Sequence, residues 1–188
     1  FFADSTTGDA RFDGFVQYNH GANPYMIFGT ATDERLRITS TGKIGINESN
    51  PNSFLHVKGS NYQVAKFEST NSNADGAYAE LYANSSSPAD NDILGILSFR
   101  GNNDASQETT FAQIRTVATD VSDGSEDGDI IFHTRYNGTF GERLRITSDG
   151  RIGINDATPN DYELDIQKRS TSDDAQIRLY NDGTGNTQ

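Results

Sequence analysis

The sequence predicts an all-β chain, and three observations predict it. Apolar residues recur in period two along many short stretches. Clusters of Gly, Asn, Asp and Ser separate those stretches at regular spacing, as in all-β sandwiches and barrels. One string, "ERLRITSTGKIGIN" at residues 34–47, returns at 142–155 as "ERLRITSDGRIGIN", with only Thr41 and Lys43 changed, to Asp149 and Arg151. Helical periodicity is almost absent, and no stretch carries matched start and stop caps.

In chain order the expected strands are "DGFVQYNH" and "YMIFGT", the first duplicated string, then "QVAKFES", "AYAELYA", "ILGILSFRG", "FAQIRTVAT" and "DIIFHTRY". The second duplicated string follows, then "LDIQ" and "AQIRLYN". Turns are expected at "HGAN", "NSNADG", "NSSSPADND", "GNNDASQ" and "SDGSEDG", where Gly and Asn tolerate left-handed backbone.

The duplicated string has a calculable register. A three-residue loop at Ser40-Thr41-Gly42, with Gly42 left-handed, sets Thr39 against Lys43, Ile38 against Ile44, Arg37 against Gly45 and Leu36 against Ile46. All four aliphatic residues then share one face, which a two-residue loop would split. The second copy turns at Ser148-Asp149-Gly150 and aligns Leu144, Ile146, Ile152 and Ile154 in the same way. Four aliphatic side chains are too few to offset the entropy of ordering such a hairpin, and isolated hairpins are marginal. The aliphatic face is therefore expected to meet copies of itself, with Leu36, Ile38, Ile44, Ile46, Leu144, Ile146, Ile152 and Ile154 at an oligomer interface.

The tails after the two copies are also alike. Pro51 and Pro159 align, Phe54 and Tyr162 follow, and Leu55-His56-Val57 matches Leu164-Asp165-Ile166. "AYAELYA" echoes "AQIRLYN", so the period is about 108 residues, longer than solenoid repeats. The expected organisation is the end of a preceding β-repeat at 1–33 and a hairpin-plus-strand joint at 34–58. A complete β-domain follows at 59–141, a second joint at 142–168 and the start of the next repeat at 169–188. A first residue other than Met and an end just after a strand-like stretch read as an excerpt of a longer chain.

Composition narrows the function classes. Net charge is −12, with 27 acidic and 15 basic side chains, and no basic block offsets it, so nucleic acid is not an expected partner. No apolar run approaches the roughly 18 residues of a membrane helix, and no signal-peptide pattern precedes the first strand. Zero cysteines exclude disulfides and thiolate metal sites. Leu, Ile, Val and Phe supply only 38 of 188 residues, at the border of disorder, yet their ordered alternation argues for folding around a shared core.

The E-R-L-R-I-T-S-x-G-x-I-G-I-N string, with Pro a few residues on, resembles bacteriophage tail fibre and tail spike proteins. So does "LGILSFRGNN…FAQIRTVATDVSDGSEDGDIIFHTRYNG…ERLRI", and the likeness is densest over residues 93–155. What the resemblance implies is a homotrimeric, elongated fibre on the virion tail that takes part in host attachment. In it, β-sandwich-like domains would alternate with short intertwined hairpin joints. The implied partners are sister chains, other phage tail components and host surface glycan. No receptor-binding tip or self-cleaving chaperone is recognisable, so these residues read as a structural segment with no chemistry of its own. The alternatives are a polysaccharide-degrading tail spike and an extracellular filament or adhesin of a bacterium.

Candidate sites are few, and no cofactor is expected. Asp123, Ser125, Asp127 and Asp129 lie in "DVSDGSEDGD", which opens like a calcium loop but has Thr134 where a bidentate Glu belongs; a solvated hairpin turn is the plainer reading. His20, His56 and His133 are dispersed without ligand spacing. Phe67, Leu81, Leu97, Phe99 and Phe132 fall at strand spacing and read as core, whereas Tyr18, Tyr25 and Tyr136, beside turns, are glycan-contact candidates. Arg35, Arg37, Arg143 and Arg145 stand beside Glu34 and Glu142. Arg37 and Arg145, opposite glycines, are expected to lie across the neighbouring strand and pair with a carboxylate of another chain, with Arg37, Arg145, Glu34 and Glu142 as the candidates for such inter-chain bridges. No nucleophile elbow, Walker A or dinucleotide string occurs, and no pair of carboxylates stands out as catalytic.

Overall fold

A computed structural model describes residues 13–72, 74–160 and 162–167. The expected strand at "AQIRLYN", the start of a next repeat at 169–188 and most of the segment before the first strand lie outside the described residues. Among the described residues the chain is all-β, with eleven strands and no helix. It divides between residues 79 and 80 into two units.

The first unit holds β1 (Gly14–Asn19), β2 (Tyr25–Thr30), β3 (Asp33–Thr39), β4 (Ile44–Ile46) and β5 (Leu55–Val57), in the order β1-β2-β3-β4-β5. The second holds β6 (Ile93–Asn102), β7 (Glu108–Asp120), β8 (Asp127–Tyr136), β9 (Thr139–Ile146), β10 (Ile152–Ile154) and β11 (Leu164–Ile166), in the order β11-β10-β9-β8-β7-β6. The strand carrying E-R-L-R therefore lies inside each sheet, paired on both sides. The division at 79/80 does not coincide with the joint boundaries the sequence suggested.

Local chemistry explains the hairpins. β3 and β4 pair Leu36 with Ile46, Arg37 with Gly45 and Ile38 with Ile44, and β9 with β10 does the same. This is the register that the hydrophobic pattern predicts. Gly42 (φ 77°) and Gly150 (φ 86°) occupy the left-handed loop position, and Thr39 and Thr147 hydroxyls accept from the amides of Lys43 and Arg151. The β2–β3 and β8–β9 turns are two-residue loops, Ala31-Thr32 and Asn137-Gly138, with positive φ at both positions as a type I′ turn requires.

The third strand of each set is less ordinary. β4–β5 and β10–β11 are parallel pairs joined by only eight and nine residues, where a crossover usually takes a dozen or more. The chain reverses through Asn47 (φ 53°) and Asn155 (φ 55°), then runs back across its own strand over Gly45 and Gly153. Asn tolerates this conformation better than other residues with a side chain. Asn155→Ala is expected to cost about 1 kcal/mol, and Asn155→Gly close to nothing, by urea denaturation.

Two expectations fail here. "QVAKFES" and "AYAELYA" form no strand, and no strand lies among the described residues between Val57 and Ile93. Phe67, Leu81, Leu97 and Phe99 are not core, being 50–78% exposed, and Phe132 is only half-buried. The reason is common to both: period-two alternation marks a face that prefers cover, and the described residues leave these side chains largely open. The buried apolar set among the described residues is Ile27, Val117, Ala118 and Ile131. That is a small core for units of this size.

Candidate functional site

The duplicated hairpin presents two faces with opposite fates. The paired rows put Met26, Ile38, Ile44 and Leu55 side by side, and beside them Phe28, Leu36, Ile46 and Val57. In the second unit the rows are Ile130-Ile146-Ile152-Leu164 and Phe132-Leu144-Ile154-Ile166. None of these sixteen apolar side chains is buried. β7 and β6 extend the second face through Ile114, Leu97 and Phe99. Exposed apolar faces of this continuity are uncommon on monomeric proteins. Leu36, Ile38, Ile44, Ile46, Leu144, Ile146, Ile152 and Ile154 all lie on it.

The opposite face carries polar residues and is the buried one. Ile131, 1% exposed, lies in a cross-strand row between Arg115 and Arg145, with Gly153 next. The first unit has Gln17, Ile27, Arg37 and Gly45 in the matching row. The crossover loop lies against this face: a Cβ built on Gly153 would strike the Asp156 carbonyl oxygen and come within 3.3 Å of Pro159.

A bulge explains the E-R-L-R spelling. Pairing runs Phe28 to Leu36 and then Gly29 to Glu34, leaving Arg35 as the extra residue; His133 to Glu142 leaves Arg143 likewise. Residues three apart in a strand normally point to opposite faces, and the extra residue restores them to one. Arg37 Nε and Nη2 thereby donate to Glu34 at 2.7 and 2.6 Å. Arg145 donates to Glu142 in the same bidentate way, at 2.9 and 2.8 Å. These hydrogen bonds raise both guanidinium pKa values against a lowering by burial. The carboxylates thus come from the same chain, and no sister chain is needed to pair them.

The fourth side of each guanidinium differs. Arg37 stacks on Tyr25, 3.9 Å from the ring centroid. Arg145 Nη1 instead donates to Asp129 Oδ2, while Asp129 Oδ1 accepts from the Ser148 amide. Asp129, 5% exposed, is thus an internal anchor of the hairpin loop, which corrects its candidacy as a calcium ligand. Asp123 and Ser125 sit exposed in the β7–β8 turn, and among the described residues no three acidic or histidine side chains gather to hold a metal.

The remaining candidates scatter. Tyr18 is 49% exposed on β1 and meets His20 edge-on at 4.6 Å. Tyr25 is engaged by Arg37 and by Asn19 Nδ2 at 3.2 Å, and Tyr136 is exposed at the Asn137-Gly138 turn. The three tyrosines form no common site. His56 lies opposite Gly45 on the buried face.

His133 is 7% exposed and stacks on Phe140 at 5.5 Å. Burial first, then the charge of Arg115, pushes its pKa below 6.5, while Glu142 opposes and Arg145 and Arg143 add. A depressed histidine pKa means that the unfolded chain binds more protons below 6.5, so stability is full above that pH and falls on acidification. The melting temperature is expected to drop between pH 7 and 5.5, and less steeply in His133→Gln.

No protein-family model matches the chain, and no curated protein matches it. Among the described residues no helix is long and apolar enough to cross a membrane.

Proposed function

We propose that this chain is a structural segment of a self-associating fibre of the bacteriophage tail kind. Its copies close around their aliphatic faces to carry a host-recognition device, most simply as a homotrimer. The observation that carries this reading is the open apolar face on each sheet, backed by a polar face that the chain's own crossover loop covers. Water-exposed rows such as Ile130-Ile146-Ile152-Leu164 are costly in a monomer and inexpensive in a symmetric assembly. The phage assignment rests on the E-R-L-R string and its flanks, and the role is mechanical rather than catalytic.

The test is the double variant Ile38→Asp with Ile146→Asp. Both residues are incompletely buried in one chain, so a charge there spares the monomer and disrupts the assembly. Sedimentation is expected to show a multiple of 20.5 kDa for the parent and a lighter particle for the variant. An unchanged particle mass would contradict the proposal. Electron micrographs of virions labelled at this segment address the fibre assignment separately.

A further inference from the structure

The buried polar face of the second unit contains one guanidinium whose buried Nε–H finds no partner among the described residues. Arg145 donates from each of its three guanidinium nitrogens, to Glu142 and Asp129. Arg115, two strands away in the same row, has a buried Nε–H with no hydrogen-bond partner, and no carboxylate among the described residues pairs with it. Buried donors are rarely left so, and a guanidinium offers a planar fork matched to a carboxylate. In the first unit the corresponding place in the row is Gln17, so the fold itself does not call for arginine there.

Arg115 opens onto a cavity of about 200 Å³, floored by Ile131 and Val117 and edged by Asn91, Ile93 and Arg145. This is smaller than the roughly 300–1,000 Å³ of pockets for drug-sized ligands. It suits one carboxyl-bearing ring or side chain rather than an oligosaccharide. Asn91, held left-handed at φ 70°, lines the same cavity.

The geometry points to a carboxylate-binding pocket formed by Arg115 and Asn91 on the apolar floor of Ile131 and Val117. The floor fits the body of the ligand and the guanidinium its charged end. The carboxylate comes either from an acidic saccharide or from an Asp or Glu of a second copy of this chain. The pocket lies within one unit, so its saccharide arm is independent of the fibre reading, while its second-copy arm rests on the self-association proposed above.

The experiment titrates sodium glucuronate into the whole chain and follows the Arg115 Nε–H and the His133 ring by NMR, with sedimentation run in parallel. Saturable shifts at both groups, with affinity lowered at least tenfold in Arg115→Gln but not in Arg100→Gln, support a saccharide ligand. Arg100 is exposed and paired with Glu108, which makes it the control. Absence of glucuronate shifts together with a lower assembly mass in Arg115→Gln, restored in Arg115→Lys, supports a carboxylate from a second copy. If Arg115→Gln does not fold, Asn91→Ala is read in its place with the same two outcomes. No glucuronate shift and no change of assembly mass in any of these variants would overturn the proposal.

Discussion

Gly153→Ala is expected to destabilise the second unit by about 3 kcal/mol, and Gly45→Ala the first by a similar amount. A methyl group at either position would drive into the backbone carbonyl of Asp156 or Glu48, where the crossover loop folds back over its own strand. The obstacle is main chain, so no side-chain rotation relieves it. The loop must lift, and lifting it frees the parallel strand β11 or β5 and opens the buried polar face. Gly150→Ala and Gly42→Ala provide the contrast. Each would keep a positive φ but would meet open space, so the loss should be only about 1 kcal/mol. Urea midpoints of the four variants check the ordering. Equal losses at all four would mean that backbone conformation, not the close approach of the loop, makes glycine necessary at 45 and 153.

Arg145→Ala is expected to cost about 3 kcal/mol, because it leaves Asp129 and Glu142 as uncompensated part-buried charges. Arg37→Ala should cost less, about 1–2 kcal/mol: it strands one carboxylate that is 24% exposed and removes a stack on Tyr25. Removing Glu142 and Arg145 together should recover part of the loss, and the size of that coupling comes from a double-mutant cycle. A coupling near zero would show that the duplicated E-R-L-R string is not held by this ion pair.

These two predictions mark where sequence reasoning reaches and where it stops. The hairpin register was legible because a period-two pattern and a Gly-ended three-residue loop leave a single solution. The bulge at Arg35 and Arg143 was not, since an extra residue does not disturb an aliphatic pattern that begins only at Leu36 or Leu144. The spacing of Glu34 to Arg37 was its one trace: an ion pair at an odd interval in a strand requires a bulge. The parallel placement of β5 and β11 was hidden for a different reason. Eight or nine residues are short for a crossover, and only Gly45 and Gly153 inside otherwise β-branched strands hinted that something passes close by. Asn137-Gly138, an Asn-Gly pair between two alternating stretches, is the strongest short-range hairpin signal in the chain, and it forms the β8–β9 turn.

Burial was the hardest property to read. Alternation separates two faces but does not say which one a single chain can cover. Leu97, Phe99 and Ile130 were assignable to a face yet lie half-exposed, while Arg145 and Asp129, polar by composition, are held inside by mutual hydrogen bonds. The candidate interface was therefore visible as a pattern, and the polar cluster beneath it was visible only in three dimensions.

The most direct test is the mass of the intact chain in dilute neutral buffer, by sedimentation equilibrium. Closure of the apolar faces predicts a discrete assembly, at three times 20.5 kDa for the trimer. A stable, folded 20.5 kDa particle, with Ile38 and Ile146 as open to solvent as they are here, would contradict it.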